Sequence, residues 1–393
     1  MAASVCRHSL AQWFPARGSL HAVDRFRVVI CGGGIAAVEG LLRLRRLADD
    51  ALEITLVAPG EELRYRPLAV QEPFARPGAR RYPLRRVVER ADAGWVQDAV
   101  EWVDPDGQAV HTAGGRSLPY DALLLAVGAR SSVPYEHVTV FDDAHADETY
   151  HGLVQDVEEG YTGSLALLLP EGPAWPLPGY ELALMTAERA RSMGLDDLRV
   201  EVVTAEPSPL AAFGEEASRA VSELLERFGV RVHAASTAEV PASRRLLVKP
   251  EGVDLAPERI VAMPRILGPA IRGLPTAEDS FVPIDERCRV PGLGGRVFAA
   301  GDAVSYPIKH GGLGAQMADL AAAGIHALAG PADEPPPLRP VIRGVLYTGE
   351  RPLYLTAHVE DGEVRSEVTT EQAWPADEKV VAEELGPFLR SLG

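Results

Sequence analysis

The stretch RVVICGGGIAAVEGLL, residues 27–42, decides how this chain folds. Val28, Val29 and Ile30 form a short apolar run of the kind buried in a parallel sheet, and Ile35, Val38, Leu41 and Leu42 then recur at helical spacing. Strand and helix meet at a G-x-G-x-x-A turn. Gly32 permits the tight bend, Gly34 lets the backbone come close to a pyrophosphate, and the small Ala37 lets helix and strand pack closely. The helix N-terminus adds free N–H groups and the positive end of a dipole, which suit a phosphate. Glycine turns also occur for geometry alone, so the context decides, and the strand LEITLV at 52–57 supplies it by completing a βαβ unit.

Working outward, the buried run in YDALLLAVGAR (120–130) ends at Gly128, and GSLALLLP (163–170) opens a second strand–helix alternation with a helix from about Tyr180 to Ala190. RVEVVT (199–204), the amphipathic EEASRAVSELLERF (215–228) and VRVH (230–233) complete that block, and GRVFAAGDAV (295–304) returns to the first. The expected fold class is α/β: two Rossmann-like domains with a small C-terminal α+β segment. The division reads as a loosely ordered extension over 1–25, a discontinuous first domain over 26–160 and 275–330, a second domain over 161–274, a Pro-rich linker over 331–340 and a C-terminal interface segment over 341–393. ADEKVVAEELGPFLRSL (376–392) reads as an amphipathic helix with Val380, Val381, Leu385, Phe388 and Leu389 on its apolar side.

Composition narrows the partners. With 39 basic against 56 acidic residues the net charge is -17, which disfavours nucleic acid. Cys6, Cys31 and Cys288 are too scattered for a disulfide scaffold, a zinc site or a local dithiol, and they point to a cytoplasmic protein. The ten histidines show no metal-ligand spacing, so no metal is expected. No run approaches the ~20 apolar residues that span a bilayer, which leaves at most a peripheral membrane contact.

The G-x-G-x-x-A turn, LLLAVGA and VFAAGD, in that order, resemble the FAD-dependent two-dinucleotide-binding-domain flavoproteins of the pyridine nucleotide-disulfide oxidoreductase superfamily. YRPLAV, WPLPGYELAL and PIKHGGLGAQ resemble signatures of the type II NADH dehydrogenase and sulfide:quinone oxidoreductase branch. The resemblance implies two FAD/NAD(P)-binding domains of the three-layer ββα kind. It implies FAD with its pyrophosphate at Gly32, Gly34, Ile35, Ala36 and Ala37, further contacts from Arg66, Ala126 and Gly128, and the ribityl chain at Gly301 and Asp302. It also implies a helix starting near Gly312 and Leu313 whose N-terminus faces the pyrimidine side of the flavin, with Lys309 nearby. Read alone, Lys309 and His310 are solvated surface groups, and Asp302 is a turn or cap residue; in their motif Lys309 stands by the flavin and His310 is a candidate proton relay.

Three departures qualify the resemblance. The acid that usually ends the second strand is here Ala58, which leaves Glu61, Glu62 or backbone groups for the adenosine ribose. The second block has PEGPAWPLPGYELAL in place of a glycine turn, and its prolines at 170, 173, 176 and 178 lack the N–H donors a pyrophosphate needs. Tyr180 and Glu181 open its helix as a Tyr-Glu pair does in the sulfide:quinone oxidoreductases, and Trp175 is either a packed aromatic or a wall of the flavin face. Neither Cys31 nor Cys288 matches the cysteine pair of sulfide oxidation. The expected function is therefore an FAD-dependent oxidoreductase that passes two electrons from a small donor to a quinone or other acceptor without NAD(P)H. An NADH:acceptor oxidoreductase and a flavin-binding redox sensor without turnover are the alternatives. In such relatives the C-terminal segment closes over the flavin, faces a membrane or forms a homodimer.

Overall fold

A computed structural model describes residues 25–330, 332–360, 363–375 and 378–392. Residues 1–24, which carry the expected extension and Cys6, lie outside the described residues. The first domain is built on a five-stranded parallel sheet in the order Val297–Ala299, Ala122–Leu125, Phe26–Cys31, Leu52–Val57, Gly94–Val96. Its central strands are apolar on both faces because helices Ile35–Ala48 and Gly311–Ala329 cover one side and a three-stranded antiparallel meander, Val100–Asp104 to Ser117–Pro119, lies on the other part of the domain. All three αβ layers expected of the first domain are present.

The second domain repeats the plan. Its parallel sheet runs Thr139–Val140, Arg259–Ala262, Ser164–Leu169, Arg199–Thr204, Val230–His233, followed in the chain by a second meander over Thr237–Leu255. The chain leaves the first domain and re-enters it through one antiparallel pair, Arg130–Ser132 with Arg265–Leu267. That pair corrects the boundary expected at 160/161. Thr139–Val140 and helix Ala146–Glu158 already belong to the second domain, where Phe141, Tyr150 and Val154 join its core. A two-residue strand leaves no periodicity to read.

The C-terminal segment is α+β as expected, but its helix is shorter. Strands Val341–Leu346, Leu353–Glu360 and Glu363–Thr369 form an antiparallel sheet whose Ile342, Leu346 and Leu355 pack on Leu177, Tyr180 and Phe213 of the second domain. The helix expected over 376–392 is confined to Leu385–Ser391. The residues before it run as a strap, because buried Glu39 accepts hydrogen bonds from the N–H groups of Glu384 (2.9 Å) and Leu385 (2.6 Å) and so starts the helix there. Val380 N–H donates to the Tyr65 hydroxyl at 2.9 Å, which pins the strap to the first domain.

Candidate functional site

A cleft of about 1440 Å³ runs between the glycine turn, the start of helix Gly311–Ala329, the strap and the second domain. At the turn, Gly32 has φ +128°, and a Cβ there would lie 2.1 Å from the Ala126 carbonyl oxygen, so only glycine fits. A Cβ on Gly34 would meet nothing within 4 Å and would project into open space. Helix Ile35–Ala48 starts at Gly34 with no side-chain cap and no acid in its first turn. Its first N–H groups therefore lack partners among the described residues and face a cleft with room for an anion. This geometry fits the pyrophosphate of FAD.

The second wall comes from residues 300–310. Asp302 lines the cleft, and burial raises its carboxyl above the usual range while the Lys309 charge pulls it down. Lys309 is 7% exposed; its ammonium donates to the Val304 carbonyl and sits 3.7 Å from the centre of the Phe281 ring. Burial lowers its pKa to about 8, against the opposing pull of Asp302. His310 is 6% exposed, its Nδ1 accepts from Leu313 N–H at 3.3 Å, and burial, aided by the Lys379 charge, holds it down to about 3. Both side chains are thus buried walls of the cleft, which overturns their reading as surface groups.

Lys379 brings the strap into the same wall. It pairs with Glu181 at 2.6 Å, and Glu181 is fully buried and also accepts from Tyr347 N–H at 3.0 Å. Burial raises the Glu181 carboxyl to about 7 although Lys379 pulls it down, and burial lowers the Lys379 ammonium.

In the second domain the loop at the place of a nucleotide turn also lines the cleft, but its prolines leave it short of N–H donors. Helix Leu177–Ser192 starts behind Pro176 with Pro178 in its first turn, and Gly179 N–H donates to the Pro176 carbonyl. The loop before it is tied across the cleft by Ala174 N–H to the Pro307 carbonyl and Lys309 N–H to the Ala174 carbonyl. Glu206, past the end of strand Arg199–Thr204 where such domains hold a ribose, accepts the Tyr180 hydroxyl at 2.8 Å.

Of the expected cofactor residues, Gly32, Gly34, Ile35, Ala36, Arg66, Ala126, Gly128, Gly301, Asp302 and Lys309 line the cleft. Ala37 and Leu313 are buried behind it, Gly312 is also outside the lining, and the Leu313 N–H is turned to His310. Of the two acids near Ala58, Glu62 lines the cleft, whereas the Glu61 carboxylate accepts from Gln97 at 3.3 Å. Trp175 lines it too, 4.4 Å from the His310 ring. Cys31 and Cys288 do not: both are 0% exposed, and burial raises both thiols, Cys288 to about 12. Sequence reasoning missed Lys379, Tyr65 and Glu39, whose partners lie hundreds of residues away and leave no local signal. Among the described residues no set of His, Cys, Asp and Glu could hold a metal, and no helix is long and apolar enough to cross a membrane.

Residues 26–165 match the pyridine nucleotide-disulphide oxidoreductase family. The chain is 27% identical over 212 residues to a sulfide-quinone reductase of Aquifex aeolicus, covering 51% of this chain and 47% of that protein. It is 26% identical over 121 residues to the mitochondrial sulfide:quinone oxidoreductase of Mus musculus, covering 30% of this chain and 26% of that one. The matched stretches thus span about half or less of these relatives. The fold is similar to the crystal structure of the Aquifex aeolicus sulfide:quinone oxidoreductase, with a TM-score of 0.75 over 88% of this chain and 87% of that one at 19% identity. It is also similar to a ferredoxin reductase from Rhodopseudomonas palustris, with a TM-score of 0.61 over 85% and 82% at 19% identity.

Proposed function

We propose that the chain is an FAD-dependent flavoprotein oxidoreductase, similar over residues 26–165 to the pyridine nucleotide-disulphide oxidoreductases and related to the sulfide:quinone oxidoreductases, and that it passes two electrons from a small donor to a quinone. One observation carries the reading: the first glycine turn is open to a pyrophosphate, while at the equivalent place of the second domain prolines stand where N–H donors are needed and Glu206 is engaged by the Tyr180 hydroxyl. The flavin, when bound, supplies two-electron redox chemistry; the protein supplies position and electrostatics.

The N–H groups at the start of helix Ile35–Ala48 bind the pyrophosphate, with Ala126 and Gly128 beside it, and Asp302 accepts from the ribityl hydroxyls. Arg66, 3.1 Å from Asp143, and Lys309 are the cations of that wall. The Glu181–Lys379 pair holds a proton at the cleft edge, where the reduction of a quinone to a quinol takes up two. Because Cys31 and Cys288 are buried away from the cleft, a sulfur donor is not carried on them. In this reading any contact with a membrane quinone pool is peripheral, and the exposed edge strand Glu363–Thr369 is left for a second copy of the chain.

The test is a visible spectrum of the purified holoprotein followed by anaerobic addition of NADH and, separately, of a short-chain quinol. A bound flavin that NADH leaves oxidised, and that exchanges electrons with the quinol and quinone couple, supports the reading. Prompt bleaching by NADH establishes the NADH:acceptor alternative, and a protein that never retains flavin sinks both.

A further inference from the structure

Among the described residues His310 is the one histidine that lines the cleft. A ring nitrogen that accepts a hydrogen bond carries no proton, so the bond from Leu313 N–H to Nδ1 places the single proton of the neutral ring on Nε2. That nitrogen has no partner among the described residues, although the side chain is 6% exposed and lines the cleft. A side chain at Gly312 would come within 2.7 Å of its Cε1, and Trp175 lies against its face with ring centres 4.4 Å apart and planes tilted by 35°. The charged groups around it come from three elements: Lys309 beside it in the chain, Lys379 from the strap, and Glu181 from the second-domain helix, already paired with Lys379. The two ammonium groups, with the one carboxylate already paired to Lys379, disfavour a third cation.

We propose that His310 is a positioning residue that presents Nε2–H into the cleft as a fixed, neutral hydrogen-bond donor to a carbonyl oxygen of the bound quinone. This rests on the quinone reading. Trp175 and the imidazole together form an aromatic corner against which a flat ring can lie, and the N–H fixes the direction of its carbonyl. No proton leaves His310 during turnover; the protons of the quinol come from other groups. The single imidazole thus does two jobs, since Nδ1 also caps helix Gly311–Ala329.

Substitution separates the two jobs. In His310→Asn the side-chain oxygen can cap Leu313 N–H while the amide donates, and in His310→Ser the hydroxyl can cap but cannot reach into the cleft. In the holoenzyme, with a short-chain quinone as acceptor, His310→Ser is expected to raise KM about tenfold, the value of one hydrogen bond, with kcat within about threefold. His310→Asn is expected to restore KM to within about threefold and to leave the shape of the pH–rate profile between pH 5 and 8 unchanged. Independently, ¹⁵N spectra of histidine-labelled protein, assigned by difference from the Asn variant, should show a neutral Nε2–H tautomer that does not titrate over that range. An unchanged KM in His310→Ser, an Nδ1–H tautomer, or an imidazole that titrates between pH 5 and 8 overturns the assignment. A wild-type holoenzyme that reduces no quinone overturns the quinone reading and the ligand with it, and the ¹⁵N spectrum then reports separately whether the fixed donor exists.

Discussion

Replacing Glu39 by alanine should release the C-terminal strap while the two domains stay folded. Glu39 is completely buried on the first helix after the glycine turn, and its carboxylate takes the N–H groups of Glu384 and Leu385 at 2.9 and 2.6 Å. Hydrogen bonds to an ionised group contribute roughly 1.5–3 kcal/mol each, but burial raises the Glu39 pKa, so part of that gain is already offset by desolvation. The alanine variant orphans two buried donors and loses a negative charge at a helix N-terminus, for a net loss of roughly 2–4 kcal/mol in the local stability of the strap. Arg43 and Arg46 still reach Glu383 and Glu384, but such partly exposed pairs hold little, about 0–1 kcal/mol. Hydrogen exchange followed by mass spectrometry should therefore show amides of the last helix exchanging about 30- to 1000-fold faster, with the strands of the first sheet unchanged. A Glu39→Gln variant, which keeps an accepting oxygen, should lie between. The reasoning fails if exchange in the last helix is unaltered in Glu39→Ala, or if the whole first domain accelerates equally.

Gly32→Ala should be among the most damaging single changes, because the added Cβ meets the Ala126 carbonyl and the backbone has φ +128°; a loss above about 3 kcal/mol in urea unfolding, with loss of bound flavin, is expected, and a stable flavin-bound variant would contradict the turn geometry. Glu181→Gln leaves Lys379 as a buried unpaired charge and should cost about 3–5 kcal/mol, most of it recovered by adding Lys379→Met, so a double variant no more stable than the single would show that the pair is not a unit. Cys31→Ala and Cys288→Ser should leave electron transfer from any donor unchanged within about twofold, and selective loss of turnover with a sulfur donor would place a thiol in the chemistry after all. Acid should destabilise the native state through His310. Burial holds its ring down to about 3 in the native state, below the ordinary 6.5 of an imidazole, so the unfolded chain binds a proton that the native state refuses, and stability falls by about 1.4 kcal/mol per pH unit below pH 6.5 from this group. The stability difference between wild type and His310→Asn should therefore shift in favour of the variant between pH 7.5 and 4.5, and a difference independent of pH would refute the neutral, buried ring.

The parts of the molecule that were legible in its sequence are those in which the cause of a structure lies within one or two turns of chain. The strand at Phe26–Cys31, the turn at Gly32 and Gly34, and the alternation that built two parallel sheets all follow from local periodicity and from what a missing Cβ permits. The proline-filled loop before Leu177 was readable for the same reason, since a proline has no N–H wherever it is placed. What the sequence concealed is what distant segments do to polar side chains. Lys309 and His310 carry every local sign of solvent exposure, and they are buried because Phe281, Val304, Trp175 and Lys379 converge on them from elsewhere in the chain. The apolar spacing of the last helix was real, but Glu39, 345 residues earlier, decided where that helix begins. Function follows the same division: the cradle for a pyrophosphate is local and was visible, whereas the groups that tune protons and orient a substrate arise where two domains and a strap meet. Their protonation states are set first by burial and then by the charges each segment brings, so a substitution in the strap at Lys379 should move the chemistry of His310 although the two residues are far apart in sequence.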